Sequence, residues 1–173
     1  VAIVAIVDRQ IAWERYFVVR TAGRPAPVDA QTRFEAASMT KPLAAHVALK
    51  LVEEGQLDLD RPLRAYLDKP YLTGEPQHLK ITARMVLNHT TGFPNWRPGG
   101  WLKGGPVPVA SEPGTKFSYS GEAFTYLQHV LEKITGEPFE RSVERRLFTP
   151  LGMAHSSLTW TDAVAKSAAA GHN

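Results

Sequence analysis

The stretch FEAASMTKPLAAHVALKLVEEG, residues 34–55, sets a hydroxyl and an amine three positions apart, Ser38 and Lys41, with Pro42 directly behind them. Proline has no amide hydrogen and is tolerated in a helix only within the first turn, where those hydrogens lack partners. Pro42 therefore predicts a helix starting at about Ser38 or Met39. The Ser38 hydroxyl then sits at the positive end of the helix dipole and shares a face with Lys41. A serine needs a base to take its proton before it attacks a carbonyl, and lysine serves once burial or neighbours favour its neutral form. The spacing fits a simpler arrangement equally well, with Ser38 an N-cap and Lys41 a solvated first-turn residue. The pair by itself does not choose.

The elements around the pair are legible. The run VAIVAIV at residues 1–7 is continuous and β-branched, the pattern of a strand covered on both faces. Asp8-Arg9-Gln10 turns the chain into a second strand, IAWERYFVV, which predicts a hairpin. TAGRPAPVDAQT reads as loop. In the residue 43–54 helix the polar residues His46, Lys50, Glu53 and Glu54 share one narrow face, so burial is expected on most sides, with Gly55 as the stop. Asp60 as a cap with Pro62 in the first turn predicts a short helix, and Thr82 to His89 another, ended by Gly92. The Gly- and Pro-rich stretch 93–117 reads as a long loop. GEAFTYLQHVLEKITG is a strongly amphipathic helix with Phe124, Leu127, Val130, Leu131 and Ile134 inward and Gly136 past its end. A last helix starts at Pro138 and stops before Pro150.

The 173 residues suffice for one domain with a sizeable core, and 43 % hydrophobic with 21 % charged residues excludes a disordered chain. The net charge of +3 is scattered. The cluster Arg141, Arg145, Arg146 reads as a solvated helix face, and no nucleic-acid stripe is present. No apolar run is long enough for a membrane span. Without cysteine there is neither a disulfide nor a thiolate–zinc site, and the six histidines show no metal-ligand spacing. No cofactor is implied, and the compartment stays open. Glu35, Asp60 and Glu122 read as capping or first-turn charges. The chain opens inside a strand without Met and ends without a closing element, so both ends read as cut.

Taken in order, FEAASMTKPLAAHVALKLVEEGQLDLDRPLRAYL, ITARMVLNHTTGFP and EPGTKFSYSGEAFTYLQHVLEKITGEPFERSVERRLFTPLGMAHSS resemble the serine hydrolase superfamily of class C β-lactamases, D-alanyl-D-alanine carboxypeptidases and family VIII carboxylesterases. The resemblance implies an α/β, β-lactamase/transpeptidase-like fold: an antiparallel sheet flanked by helices, plus an all-helical region. Only the N-terminal hairpin of that sheet is expected in this chain. Residues 1–56 would form the N-terminal part of the α/β domain, 57–160 a mostly helical region with the Tyr-Ser-Gly loop, and 161–173 the start of the return. By the same resemblance Ser38 is the acylated serine, Lys41 its partner, and Tyr119 of YSG the general base or proton relay. Substrates would be small esters, amides or β-lactams.

Two departures stand out. Gly121 occupies the position where β-lactamases and peptidases of the family carry an Asn that holds the substrate's amide. A glycine there leans toward an esterase or acyltransferase, and Gly121→Asn is expected to favour β-lactams. Phe93, Trp96 and Trp101 would line an apolar acyl pocket or pack structurally. The family's third element, Lys-Thr-Gly or an equivalent led by His or Trp, does not follow Tyr119. HTTG at residues 89–92 and KGG at 103–105 precede it and read as lookalikes. Half of the oxyanion hole is then expected from a C-terminal half in another chain or segment. The rival from another class is a binding module that kept the scaffold without the chemistry.

Overall fold

A computed structural model describes residues 1–72, 74, 76–100 and 105–171. The chain divides into two compact units, Val1–Ser38 with Leu151–Asn173, and Met39–Pro150.

The first unit holds a hairpin of β1 (Ala2–Val7) and β2 (Gln10–Tyr16), paired antiparallel. Asp8 and Arg9 form its turn, both left-handed at φ 50° and 65°. Two positive φ angles in a two-residue loop are what the right-handed twist of a hairpin demands, so the turn forms without the usual Asn-Gly. The register shifts after Ala5↔Trp13, and Ile6 pairs with Ile11, leaving Ala12 as the extra residue of a bulge. The expected covering of β1 is absent: Val1, Ile3, Val4, Ile6 and Val7 are all exposed. Among the described residues the sheet has two strands, and a two-stranded ribbon buries neither face by itself.

The tail of the chain returns to this unit. Thr161 caps α5 (Asp162–Ser167), its hydroxyl accepting the Val164 amide at 3.2 Å. Beyond α5, Ala168 forms a parallel bridge with Arg33, and the Ala170 amide donates to the Arg20 carbonyl at 2.9 Å. Arg20 Nη1 donates back to the Lys166 carbonyl at 2.9 Å.

The second unit is helical. α1 (Thr40–Glu53) buries Ala44, Val47, Ala48 and Leu51 and packs on α3 and α4. It is buried on one side rather than on most sides, since Leu49 stays half exposed. Thr82 caps α2 (Ala83–Leu87) by accepting the Met85 amide at 3.3 Å. That helix ends through His89, left-handed at φ 58°, and not through Gly92. Gly92 has a different task. A Cβ there would lie 2.3 Å from the Ser111 carbonyl oxygen, so only glycine admits that chain crossing.

Ser120 caps α3 (Gly121–Thr135), and Gly136 closes it at φ 69°. Tyr126, Leu127, Val130 and Leu131 fill the core from this helix. Burying each such side chain stabilises the unit by about 1.5–3 kcal/mol. Phe124 and Ile134 are only half-buried, and Tyr126 takes the inward place, stacked on Tyr71 at 5.4 Å. Burial pushes the Tyr126 phenol up to about 12. α4 (Phe139–Val143) runs on into a π-helical turn over Glu144–Phe148.

Several expected roles change. Asp60 caps no helix; both of its oxygens accept from Arg84, at 2.7 and 2.8 Å, and Pro62 precedes a short 3₁₀ turn, Leu63–Tyr66. Arg146 is not a solvated face, because its guanidinium is largely buried against Glu54. Phe93 is wholly buried, edge-on to His78 at 5.6 Å, so its ring belongs to the core.

Candidate active site

Ser38 lies in an exposed 3₁₀ turn, Ala37–Met39, that leads directly into α1. The assigned N-cap position of α1 is Met39, which makes no side-chain cap. Ala37, directly before Ser38, is held at φ 45°. A left-handed alanine is uncommon and costs on the order of 1 kcal/mol, so the turn carrying Ser38 is held against its local preference.

Lys41 and Pro42 follow in the first turn of α1, where the missing proline amide breaks no helical hydrogen bond. Lys41 is half-buried. Its ammonium faces the Tyr119 ring at 4.7 Å from the centroid and the Phe124 ring at 5.7 Å. Two residues from distant segments, paired in the sequence only by resemblance, are thus brought together. A cation over an aromatic face is held by the ring's negative quadrupole.

Tyr119 ends the extended segment ahead of α3 and is partly exposed. Its neighbours fix it from both sides. The Ser118 amide donates to the His89 carbonyl at 2.7 Å, and the Ser120 amide donates to His89 Nδ1 at 3.1 Å. The His89 ring lies against Tyr119 at 4.5 Å, tilted by 31°. Phe117 and Phe124 complete the aromatic wall around His89 at 5.8 and 5.3 Å. Burial first, and the Lys41 charge second, hold the His89 imidazole below its ordinary 6.5.

A second clamp lies on the other side of the turn. The Ser120 hydroxyl donates to the Pro94 carbonyl at 2.8 Å while accepting the Ala123 amide at 3.0 Å. The Gly121 amide donates to Asn95 Oδ1 at 2.9 Å. A Cβ at residue 121 would sit 2.8 Å from the Asn95 backbone oxygen and 3.1 Å from its Oδ1. Glycine at 121 is therefore a packing requirement of the 94–95 segment. That segment is anchored in turn by Arg97 and Glu122, whose side chains are 10 % and 1 % exposed and meet at 2.6 Å. Glu122 is a first-turn charge of α3, as its position predicts, but a buried and paired one. Its hydrogen bond raises the Arg97 guanidinium further above the usual range.

Of the remaining sequence candidates, Trp96 is exposed on this loop and Trp101 lies outside the described residues. No group of three or more His, Cys, Asp or Glu that could hold a metal occurs among the described residues. No helix among them is long and apolar enough to cross a membrane. The residues that sequence reasoning missed are His89, set aside within HTTG, and Asn95. The signal for His89 was a histidine followed by a TTG turn. For Asn95 there was only the glycine at 121, whose reason lies in a distant loop.

A family model described as Beta-lactamase matches residues 1–173. Esterase EstB of Burkholderia gladioli is 32 % identical over 165 residues, covering 78 % of this chain and 40 % of the esterase. The D-alanyl-D-alanine-carboxypeptidase/endopeptidase AmpH of Escherichia coli is 27 % identical, covering 91 % of this chain and 45 % of that protein. Among solved structures, a penicillin binding protein from Bacillus halodurans superposes with a TM-score of 0.80 at 26 % identity, covering 97 % of this chain and 55 % of that one. The chain spans about half the length, or less, of the proteins it matches.

Proposed function

The chain belongs to the β-lactamase family, and from that premise we propose that it carries the acylating residues of a serine hydrolase, most suited to ester hydrolysis or acyl transfer. Ser38 Oγ attacks the carbonyl carbon as its proton passes to the Tyr119 phenolate, with Lys41 as its cationic neighbour, or to the neutral amine of Lys41 where that is the base. The bond to the leaving alcohol or amine then breaks and the leaving group takes up the proton. Water or another acceptor releases the acyl group from Ser38. The observation that carries this reading is the Lys41 ammonium 4.7 Å from the Tyr119 ring centroid. A cation over that ring favours negative charge on the phenol, the form in which a tyrosine can accept the proton of Ser38.

The leaning toward esters rests on Gly121, which offers no side chain to an amide-bearing substrate, and is supported by the likeness to an esterase. The second activity, D-alanyl peptidase or β-lactamase, is favoured by the likeness to AmpH. A chromogenic cephalosporin and a short-chain aryl ester separate the two, the ester being turned over faster. A fluorophosphonate probe tests the class of function. Mass spectrometry of the full-length protein should find one adduct, on Ser38, abolished by Ser38→Ala. A folded protein that takes no label is instead a binding module on this scaffold.

A further inference from the structure

His89 holds the residues on both sides of Tyr119 by hydrogen bonds and lies against its ring. Its carbonyl accepts the amide before Tyr119, its Nδ1 accepts the amide after Tyr119, and its ring face lies 4.5 Å from the phenol ring. Its own backbone is left-handed at φ 58°, a conformation few side chains adopt, and that twist follows directly on the end of α2. Because Nδ1 accepts a hydrogen bond, the neutral ring carries its proton on Nε2.

We propose that His89 is the positioning residue of Tyr119, clasping residues 118–120 and backing the phenol so that its ring stays against the Lys41 ammonium. The proposal rests on the reading that Tyr119 moves the proton. A general base works only within hydrogen-bond reach of its proton, so a tyrosine on an extended, partly exposed segment needs such a holder. The hydrogen bonds alone would fix the backbone of residues 118–120. The ring contact is what fixes the side chain, and it separates a positioning role from turn formation.

Two substitutions dissect the parts. His89→Asn suits a left-handed backbone and places an oxygen near the former Nδ1, so it removes the ring platform and keeps the clasp. His89→Gly suits the backbone and removes both. In the full-length protein with an aryl ester, kcat should fall about tenfold for His89→Asn and further for His89→Gly. KM should change less than about threefold. The rate of fluorophosphonate labelling at Ser38 should fall in parallel.

The decisive measurement is a double-mutant cycle with Tyr119→Phe. That change alone should cost about a hundredfold or more in kcat. In its background His89→Asn should then cost almost nothing, because the phenol being positioned is gone. Independent, multiplicative losses would overturn the role of His89 and leave Tyr119 as the proton carrier. A Tyr119→Phe protein of unchanged rate would instead overturn the reading of Tyr119, and this proposal with it. If His89→Asn lowers kcat only in proportion to a lost folded fraction, measured by its thermal midpoint, His89 is structural and the proposal fails.

Discussion

Glu122→Gln is the substitution whose consequence the structure sets most sharply. The Glu122 side chain is 1 % exposed and takes three contacts from Arg97: the backbone amide at 3.1 Å, Nε at 2.8 Å and Nη2 at 2.6 Å. Arg97 is itself 10 % exposed and also donates to the Tyr71 hydroxyl at 3.1 Å. Glutamine keeps the shape and one oxygen but leaves a buried guanidinium without its counter-charge. Removing one partner of a buried pair costs about 3–5 kcal/mol, mostly through the charge left behind. A chain of this length loses roughly 2–4 °C of melting temperature per kcal/mol, so the midpoint should fall by about 6–20 °C. Urea melts of the full-length protein measure the loss directly, with an unchanged m-value. Replacing both partners, Glu122→Leu with Arg97→Met, should recover most of it. The pair also anchors the 94–95 segment that clamps Ser120 and Gly121. Ester turnover should therefore fall in Glu122→Gln at temperatures where the protein is still folded. A loss below about 1 kcal/mol would refute the burial argument and the view of this loop as a rigid support.

Gly121→Asn should reduce ester turnover and stability without gaining β-lactam turnover, because its Cβ would meet the Asn95 oxygen at 2.8 Å; a chromogenic cephalosporin assay checks this, and a gain would show that residues 94–95 yield easily. A pH dependence follows from His89, whose imidazole is held below 6.5 by burial and then by Lys41, with Tyr119 the other titratable side chain on it. The unfolded chain then binds the extra proton first, so the stabilising contribution is full above 6.5 and is lost as pH falls toward the folded value. Urea midpoints at pH 7.5 and 5.5 should differ more in the native protein than in His89→Asn, and equal differences would exclude His89 as the source. The carboxylates of Glu54, Asp60 and Glu137 are held below their ordinary values and titrate beneath this window.

The sequence by itself determined the elements whose causes are local. Pro42 and Gly55 bound α1, Thr82 starts α2, and Ser120 and Gly136 bound α3, because caps, proline and glycine act within a turn of where they stand. The spacing of Ser38 and Lys41 was legible for the same reason, and ordered motifs carried the family. Tertiary structure alone decided the rest, for these contacts join residues far apart in the chain. His89 meets Ser120 across 31 positions, Asn95 meets Gly121 across 26, and Arg97 meets Glu122 across 25. Periodicity records which face of a helix is apolar and not what lies opposite it. It therefore missed the burial of Glu122 and Tyr126 on α3, placed Phe93 equally in a pocket or in the core, and made β1 a covered strand where this chain leaves it bare. A histidine in HTTG looks like a misplaced motif until the fold sets it beside the tyrosine it holds.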